Sequence, residues 1–346
     1  MDWLLVILMR DIFEEQLSSE AMLVAFADPP PGVQVVVIRE EVEVSEGRFL
    51  YKGPDRLAVL RETFERFPAD RRLLLTYSHG AAFGIHCEDG PRDILWMEDL
   101  EACLPAEGID LMLMVNCYMQ TFDNGYLLRD KVRYLVAPQG VMPSMGYDYA
   151  GLLGALDLDT ETLARRVVID YWQKYLDLGM GGYIQRTTMF AVAPHFYGQA
   201  VSLFNRFLEL LEFHLPHIVE ELRLIRERME VVSGSLRYDL VDAGHWVDLV
   251  VERLTWLDGV RAFGEAFGEI RVRMSVEARV GQIYLEADKA SASRYGHTGL
   301  SLYYPATLAR WKHQEVAWSA YRQVGSTFGR DSGWELFLDR YFQALG

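Results

Sequence analysis

Two apolar runs of strand length each end on a reactive side chain. Residues 73–80, LLLTYSHG, deliver His79 followed at once by Gly80; residues 111–117, LMLMVNC, deliver Cys117. A thiol becomes a strong nucleophile when an imidazole takes its proton, and the imidazolium can then protonate a leaving group. Sites in parallel α/β sheets lie beyond the carboxyl ends of the strands. If the two runs are neighbouring strands, they present a Cys–His pair there. Gly80 permits close backbone approach, and its N–H, with that of Cys117, can point at a developing oxyanion.

Each residue also has a plainer reading. Free cysteine is among the most buried residue types and is commonly inert, and a lone histidine is commonly a satisfied core or surface residue. Three features favour chemistry at Cys117: its place at a strand end, a helix that starts soon after it and would lower the thiol pKa, and polar Asn116, which marks the strand leaving the core. Cys103 sits with Leu100 and Leu104 on the apolar face of a helix and reads as structural. Cys87 follows His86 in a polar loop, and adjacent side chains rarely face each other. The sequence holds no CxxC or HExxH spacing, no Asp-rich calcium loop and no glycine-rich phosphate loop after a strand, so no metal and no cofactor is expected.

The elements that must position the pair alternate. Strands are expected over 3–9, 33–44, 73–80, 109–117 and 132–140, with 47–53 as an edge strand or hairpin arm. Amphipathic helices are expected over 11–26, 55–67, 94–104 and 122–131. That alternation is the signature of a mostly parallel α/β sheet flanked by helices. From about residue 155 the pattern becomes largely helical: 158–176, one or two helices over 198–232 interrupted at Pro216, 245–257, and a tail over 314–345. Within it lie strands at 187–192 and 299–305, and an undecided stretch, 268–286, with strand-like alternation. The division expected is a catalytic core over 1–155 and a helical region over 156–346 that contributes the late strand 299–305.

Bulk properties narrow the partners. The 346 residues are 50% hydrophobic and 24% charged, with a formal net charge of −16, which argues against a nucleic-acid backbone as ligand. No run reaches the ~18 apolar residues of a membrane span. The opening MDWLLVILMRD lacks a basic leader and reads as a buried strand. Three cysteines, an odd number, argue against a disulfide framework and for a reducing, cytoplasmic setting.

The sequence resembles the clostripain-like cysteine peptidases, of the same clan as caspases. TYSHGAAFG is similar to the family's strand ending in His-Gly. VNCYMQTFDNGYLLRDKVRYLVAPQGVMPSMGYDY is similar to its long signature of catalytic Cys, helix, strand and aromatic turn. HWVDLV and GLSLYYP are similar to later segments. The resemblance implies a caspase-like fold with a largely helical C-terminal extension. It also implies an endopeptidase cleaving protein or peptide substrates after Arg or Lys, with His79 as base, Cys117 as nucleophile, Gly80 and Cys117 N–H groups as oxyanion donors, and no third catalytic member. Two positions depart from the family pattern: Val115 stands where an Asp often binds the basic side chain, and Asp123 stands for Glu. Asp148, in the GYDY turn, is the candidate replacement acid; otherwise it is a solvated turn residue. Arg92–Asp93 is the candidate processing site between the two strands, with a solvated loop as the alternative. An intracellular member would fit a bacterial signalling or defence cascade with an upstream activator or inhibitor. The alternative function is a catalytically silent caspase-like protein that binds peptides or partners.

Overall fold

Apolar residues fill both faces of the first strands, so these strands must be covered on both sides. The computed structural model describes residues 2–10, 16–45, 48–52, 55–85, 94–180, 188–229, 231–232, 239–280, 298–308 and 327–346. In chain order these form β1 (Trp3–Arg10), α1 (Gln16–Ala25), β2 (Val33–Ser45), β3 (Arg48–Lys52), α2 (Arg56–Arg66), β4 (Arg71–Tyr77), β5 (Gly84–Ile85), β6 (Leu95–Trp96), α3 (Met97–Ala102), β7 (Ile109–Val115), α4 (Phe122–Leu127) and β8 (Val132–Pro138). There follow α5 (Tyr149–Leu153), α6 (Thr160–Asp177), β9 (Thr188–Val192), α7 (Tyr197–Arg228), β10 (Leu240–Asp242), α8 (Ala243–Arg253), α9 (Val260–Met274), β11 (Ser275–Val280), β12 (Ser301–Tyr303), α10 (Thr327–Asp331) and α11 (Trp334–Leu345).

Among the described residues the main sheet has eight strands in the order β11-β9-β8-β7-β4-β1-β2-β3. The five strands β2, β1, β4, β7 and β8 are mutually parallel; β3 pairs antiparallel with β2, β9 antiparallel with β8, and β11 antiparallel with β9. Alternation divides the core. Leu4, Val6 and Leu8 of β1, Leu74 of β4 and Met112 and Met114 of β7 face one cluster, with Leu60 and Phe64 of α2 and Phe204 of α7. Leu5, Ile7, Leu73, Leu75, Tyr77, Leu113 and Val115 face the other, with Met22 of α1 and Val168, Tyr171 and Tyr175 of α6. The period of two is what assigns successive residues to opposite layers.

Local signals set the helix starts. Asp55 accepts N–H bonds from Leu57 and Ala58 at the head of α2, and Asp159 accepts that of Thr162 at the head of α6, as short polar caps do. Helix α7 runs 32 residues straight through Pro216, so the expected interruption does not split it. It packs against α8, α9 and α11 through rings: Phe207 stacks on Phe263 at 3.8 Å between centroids and meets Trp246 at 5.8 Å, and Phe204 meets Trp334 at 5.7 Å.

An undecided stretch is resolved and two expectations change. The stretch 268–286 is helix as far as Met274 and strand over Ser275–Val280; the alternation around Ile270 and Val272 belongs to an amphipathic helix with Val272 exposed. The region after 155 supplies more than a late strand, since β9 and β11 extend the main sheet beside β8. The late strand β12 lies outside that sheet, pairing antiparallel with β10. No helix among the described residues is long and apolar enough to cross a membrane.

One carboxylate anchors this ribbon to the sheet. Asp242, buried at the end of β10, accepts from Gln139 Nε2 at 2.7 Å, Thr298 N and Oγ1 at 2.7 Å each, and His245 N at 2.9 Å. Removing it strands several buried donors, each costing roughly 1–3 kcal/mol. Asp242→Ala is therefore expected to lower unfolding free energy by about 3 kcal/mol, read as a fall in the urea midpoint; an unchanged midpoint refutes the anchoring role.

Candidate active site

Strands β4 and β7 pair in parallel from Leu73↔Leu111 to Tyr77↔Val115. His79 and Cys117 therefore each stand two residues beyond the last matched pair, at the same level of the carboxyl edge. Asn116, 1% exposed, ties the two ends together. Its Nδ2 donates to Ser78 O at 2.9 Å and to Ser78 Oγ at 2.8 Å, and its Oδ1 accepts from Thr76 Oγ1 at 2.5 Å. Asn124 does the same one turn on, donating to Ala82 O at 2.7 Å and Met119 O at 2.8 Å. The two loops that leave the strands are thus fastened to each other by buried carboxamides.

Gly80 makes the approach sterically possible. A Cβ there would lie 2.3 Å from Cys117 O, 2.8 Å from Cys117 N and 2.9 Å from Asn116 Cβ. Only a residue without a side chain fits, because the neighbours include main chain that cannot rotate away. Two non-glycine residues with left-handed backbone flank the contact, Ala82 at φ 69° and Tyr118 at φ 62°. Such conformations carry roughly 1–3 kcal/mol of strain and collect at functional sites.

The Cys117 thiol is half-buried and makes no disulfide. Its Sγ accepts the Met142 N–H at 3.3 Å and donates to Met142 O at 3.9 Å. His79 is exposed at the rim. Both line one cleft of about 310 Å³, with Tyr77, Ser78, Val115, Val141, Met142, Pro143, Ser144, Met145, Tyr175 and Met180.

The far wall is the turn 141–148, and buried hydroxyls hold it. Tyr147 OH donates toward Met114 O and Val136 O, 3.1 Å from each, pinning the turn to the ends of β7 and β8. Burial pushes the Tyr147 phenol well above its ordinary range, so the hydroxyl stays a donor. Tyr175 OH donates to Gly146 O at 3.1 Å. Lys174 Nζ donates to Met145 O at 2.8 Å and Tyr147 O at 2.7 Å; burial lowers its pKa, against the attraction of Asp148. Gly146 takes φ 57°, and a Cβ there would meet Tyr149 OH at 2.0 Å.

Of the residues expected from sequence, the structure brings His79, Gly80 and Cys117 to one place. Asp148 is not with them: it caps α5, accepting from Gly151 N at 3.1 Å, and it does not line the cleft. A turn that ends in Asp-Tyr before a helix places the Asp as an N-cap, and that demand wins over the pocket. Arg92 and Asp93 lie outside the described residues, as does Cys87. Cys103 is buried, within 3.4 Å of Arg61 Nη2. Sequence reasoning missed the Asn116 and Asn124 ties and the Met142 amide, since a polar residue past a strand reads only as the strand's exit.

The close contact at Gly80 yields a test. Gly80→Ala forces the Cys117 backbone away, an overpacking of about 1–3 kcal/mol, and misplaces the thiol, so hydrolysis expected of a Cys–His pair falls about 10²-fold. Wild-type rates in a folded Gly80→Ala variant would show that the contact is not needed.

Residues 54–188, which hold both strand ends, the cleft and its turn, match the family model of the clostripain family, peptidase C11. Among solved structures the chain is similar to a secreted C11 cysteine protease from Bacteroides thetaiotaomicron in complex with an irreversible peptide inhibitor, at 13% identity and a TM-score of 0.65, over 97% of this chain and 100% of the other. It is also similar to an inactive zymogen C11 protease from Parabacteroides distasonis, at 14% identity and a TM-score of 0.62, over 95% and 97%. At these identities the likeness establishes the fold, over nearly the whole chain. No curated protein matches it. Residues 54–188 are thus similar to the clostripain family of cysteine peptidases, and the chain as a whole has the fold of the C11 proteases.

Proposed function

We propose that Cys117 is the nucleophile of this endopeptidase and His79 its general acid and base. One observation carries the assignment: the two side chains stand at equal register on adjacent parallel strand ends and line the same cleft. In the proposed reaction the Cys117 thiolate attacks the scissile carbonyl carbon. The backbone N–H groups of Gly80 and Cys117 receive the oxyanion. The His79 imidazolium passes its proton to the leaving nitrogen, the C–N bond breaks and an acyl thioester remains. Water, giving its proton to His79, attacks the thioester and frees the acid and the thiol. The Met142 N–H holds the sulfur in place at the cleft.

Two finer properties go with the family resemblance: cleavage after Arg or Lys, and processing after Arg92. Both need a cleft that takes a cation. Val115 stands where the family's acid would be, and Asp148 caps a helix instead. An intracellular setting and a place in a bacterial cascade with an activator or inhibitor form a separate proposal; Cys103 and Cys117 are in no disulfide, while the Bacteroides thetaiotaomicron protein is described as secreted.

The dyad is tested by variants and labelling. Cys117→Ala and His79→Ala are each expected to lower peptide hydrolysis by at least about 10³-fold with unchanged melting. A peptidyl chloromethyl ketone should alkylate Cys117, located by mass spectrometry. Full activity in His79→Ala, or alkylation at another cysteine alone, would overturn the assignment.

A further inference from the structure

The side-chain chemistry of the cleft points away from a basic substrate. Its walls next to Cys117 are Tyr77, Val115, Met142, Met145, Tyr175 and Met180. None of the cleft's described residues is a carboxylate. Resting on the dyad assignment above, we infer that this cleft holds the residue on the acyl side of the cut bond, and that this residue is a large apolar one such as Leu, Met or Phe.

Three observations converge. Val115 is 3% exposed and faces the same core layer as Tyr77 and Tyr175, so the cleft has no charged side chain at that end. A guanidinium or ammonium placed there would lose its hydration without gaining a counter-charge. Apart from the dyad, two charged side chains stand at the turn, and one of them is a cation. Lys174 Nζ is bonded to the carbonyls of Met145 and Tyr147, directly behind the wall, and would repel a second cation. Asp148 is the acid of that turn, and its carboxylate serves the α5 cap and the field at Lys174. Finally, three methionines give a soft and adaptable lining, suited to several apolar shapes. The cleft volume of about 310 Å³ sits at the low end of ligand clefts, roughly 300–1,000 Å³, which suits one side chain.

The inference also bears on processing. An enzyme with this cleft does not cut its own chain after Arg92; any cut there needs a second peptidase of basic specificity.

The test uses the full-length enzyme and a set of fluorogenic peptides that differ only at the residue before the cut: Arg, Lys, Leu, Met and Phe. The best apolar member is expected to exceed Arg and Lys at least tenfold in kcat/KM, the scale on which apolar pockets discriminate. Chloromethyl ketones carrying Leu and Arg should label Cys117 in the same order. Val115→Asp should move the Arg-to-Leu ratio at least tenfold toward Arg; where that variant fails to melt cooperatively, Met180→Glu at the half-buried mouth replaces it. Arg or Lys cleaved and labelled as fast as Leu overturns the specificity and leaves the dyad standing. A fragment ending at Arg92 that forms in wild type and not in Cys117→Ala overturns it as well. No cleavage and no labelling by any member overturns the dyad, and this inference with it.

Discussion

The site depends on the parallel pairing of β4 with β7, and on its register in particular. Moving one strand by a single residue would turn each side chain to the opposite face, sending His79 and Cys117 to different layers. Two things hold the register. Within the strands, the leucines and methionines must match the two core layers. Beyond them, Asn116 joins Thr76 and Ser78 across the gap where main-chain pairing ends. A buried carboxamide with all these bonds made is specific in a way that apolar contact is not, because a shifted partner would leave its donors unpaired. Gly80 completes the constraint by letting the two main chains touch.

The far wall obeys a similar logic. The turn 141–148 has no secondary structure of its own, yet it supplies the Met142 amide at the thiol and half of the cleft. Its position comes from long side chains that reach backbone carbonyls: Tyr147 to β7 and β8, Tyr175 to Gly146, Lys174 to Met145 and Tyr147. A cleft wall hung on buried donors is rigid without being regular, which is what a positioned thiol needs.

Much of this was legible in the sequence, for reasons that can be named. Apolar strands covered on both faces leave a continuous signal, so β1, β4, β7 and β8 stand out. The His-Gly and Cys at two strand ends stand out because α/β topology places sites there. What was not legible depends on distance in the chain. Asn116 and Ser78 become partners only through the β4–β7 register, and Lys174 meets Met145 only because α6 packs behind the turn. Asp148 was misplaced because the sequence offers an acid near the site without saying which local demand it answers; the helix that begins at Tyr149 takes it. The 268–286 stretch stayed undecided because an amphipathic helix with exposed Val272 and a following strand, up to Val280, share one apolar rhythm.

A valine at position 115 bears on more than one contact. An acid at the base of such a cleft would need to stay ionised beside Tyr77 and Tyr175, and it would want either a cationic substrate or water. With valine there, the base joins the core layer, and the pocket gains hydrophobic burial of about 25 cal/mol per Å² of apolar surface that a substrate covers. Lys174 can then sit behind the wall as a structural cation, because no substrate charge competes for the carbonyls it holds. The same lysine would be poorly placed in a pocket built for arginine, since its charge would oppose the ligand. Val115 and Lys174 are therefore best understood together: with the inferred apolar specificity the base needs no counter-charge, and the cation behind the turn would oppose a basic side chain unless an acid stood beside it.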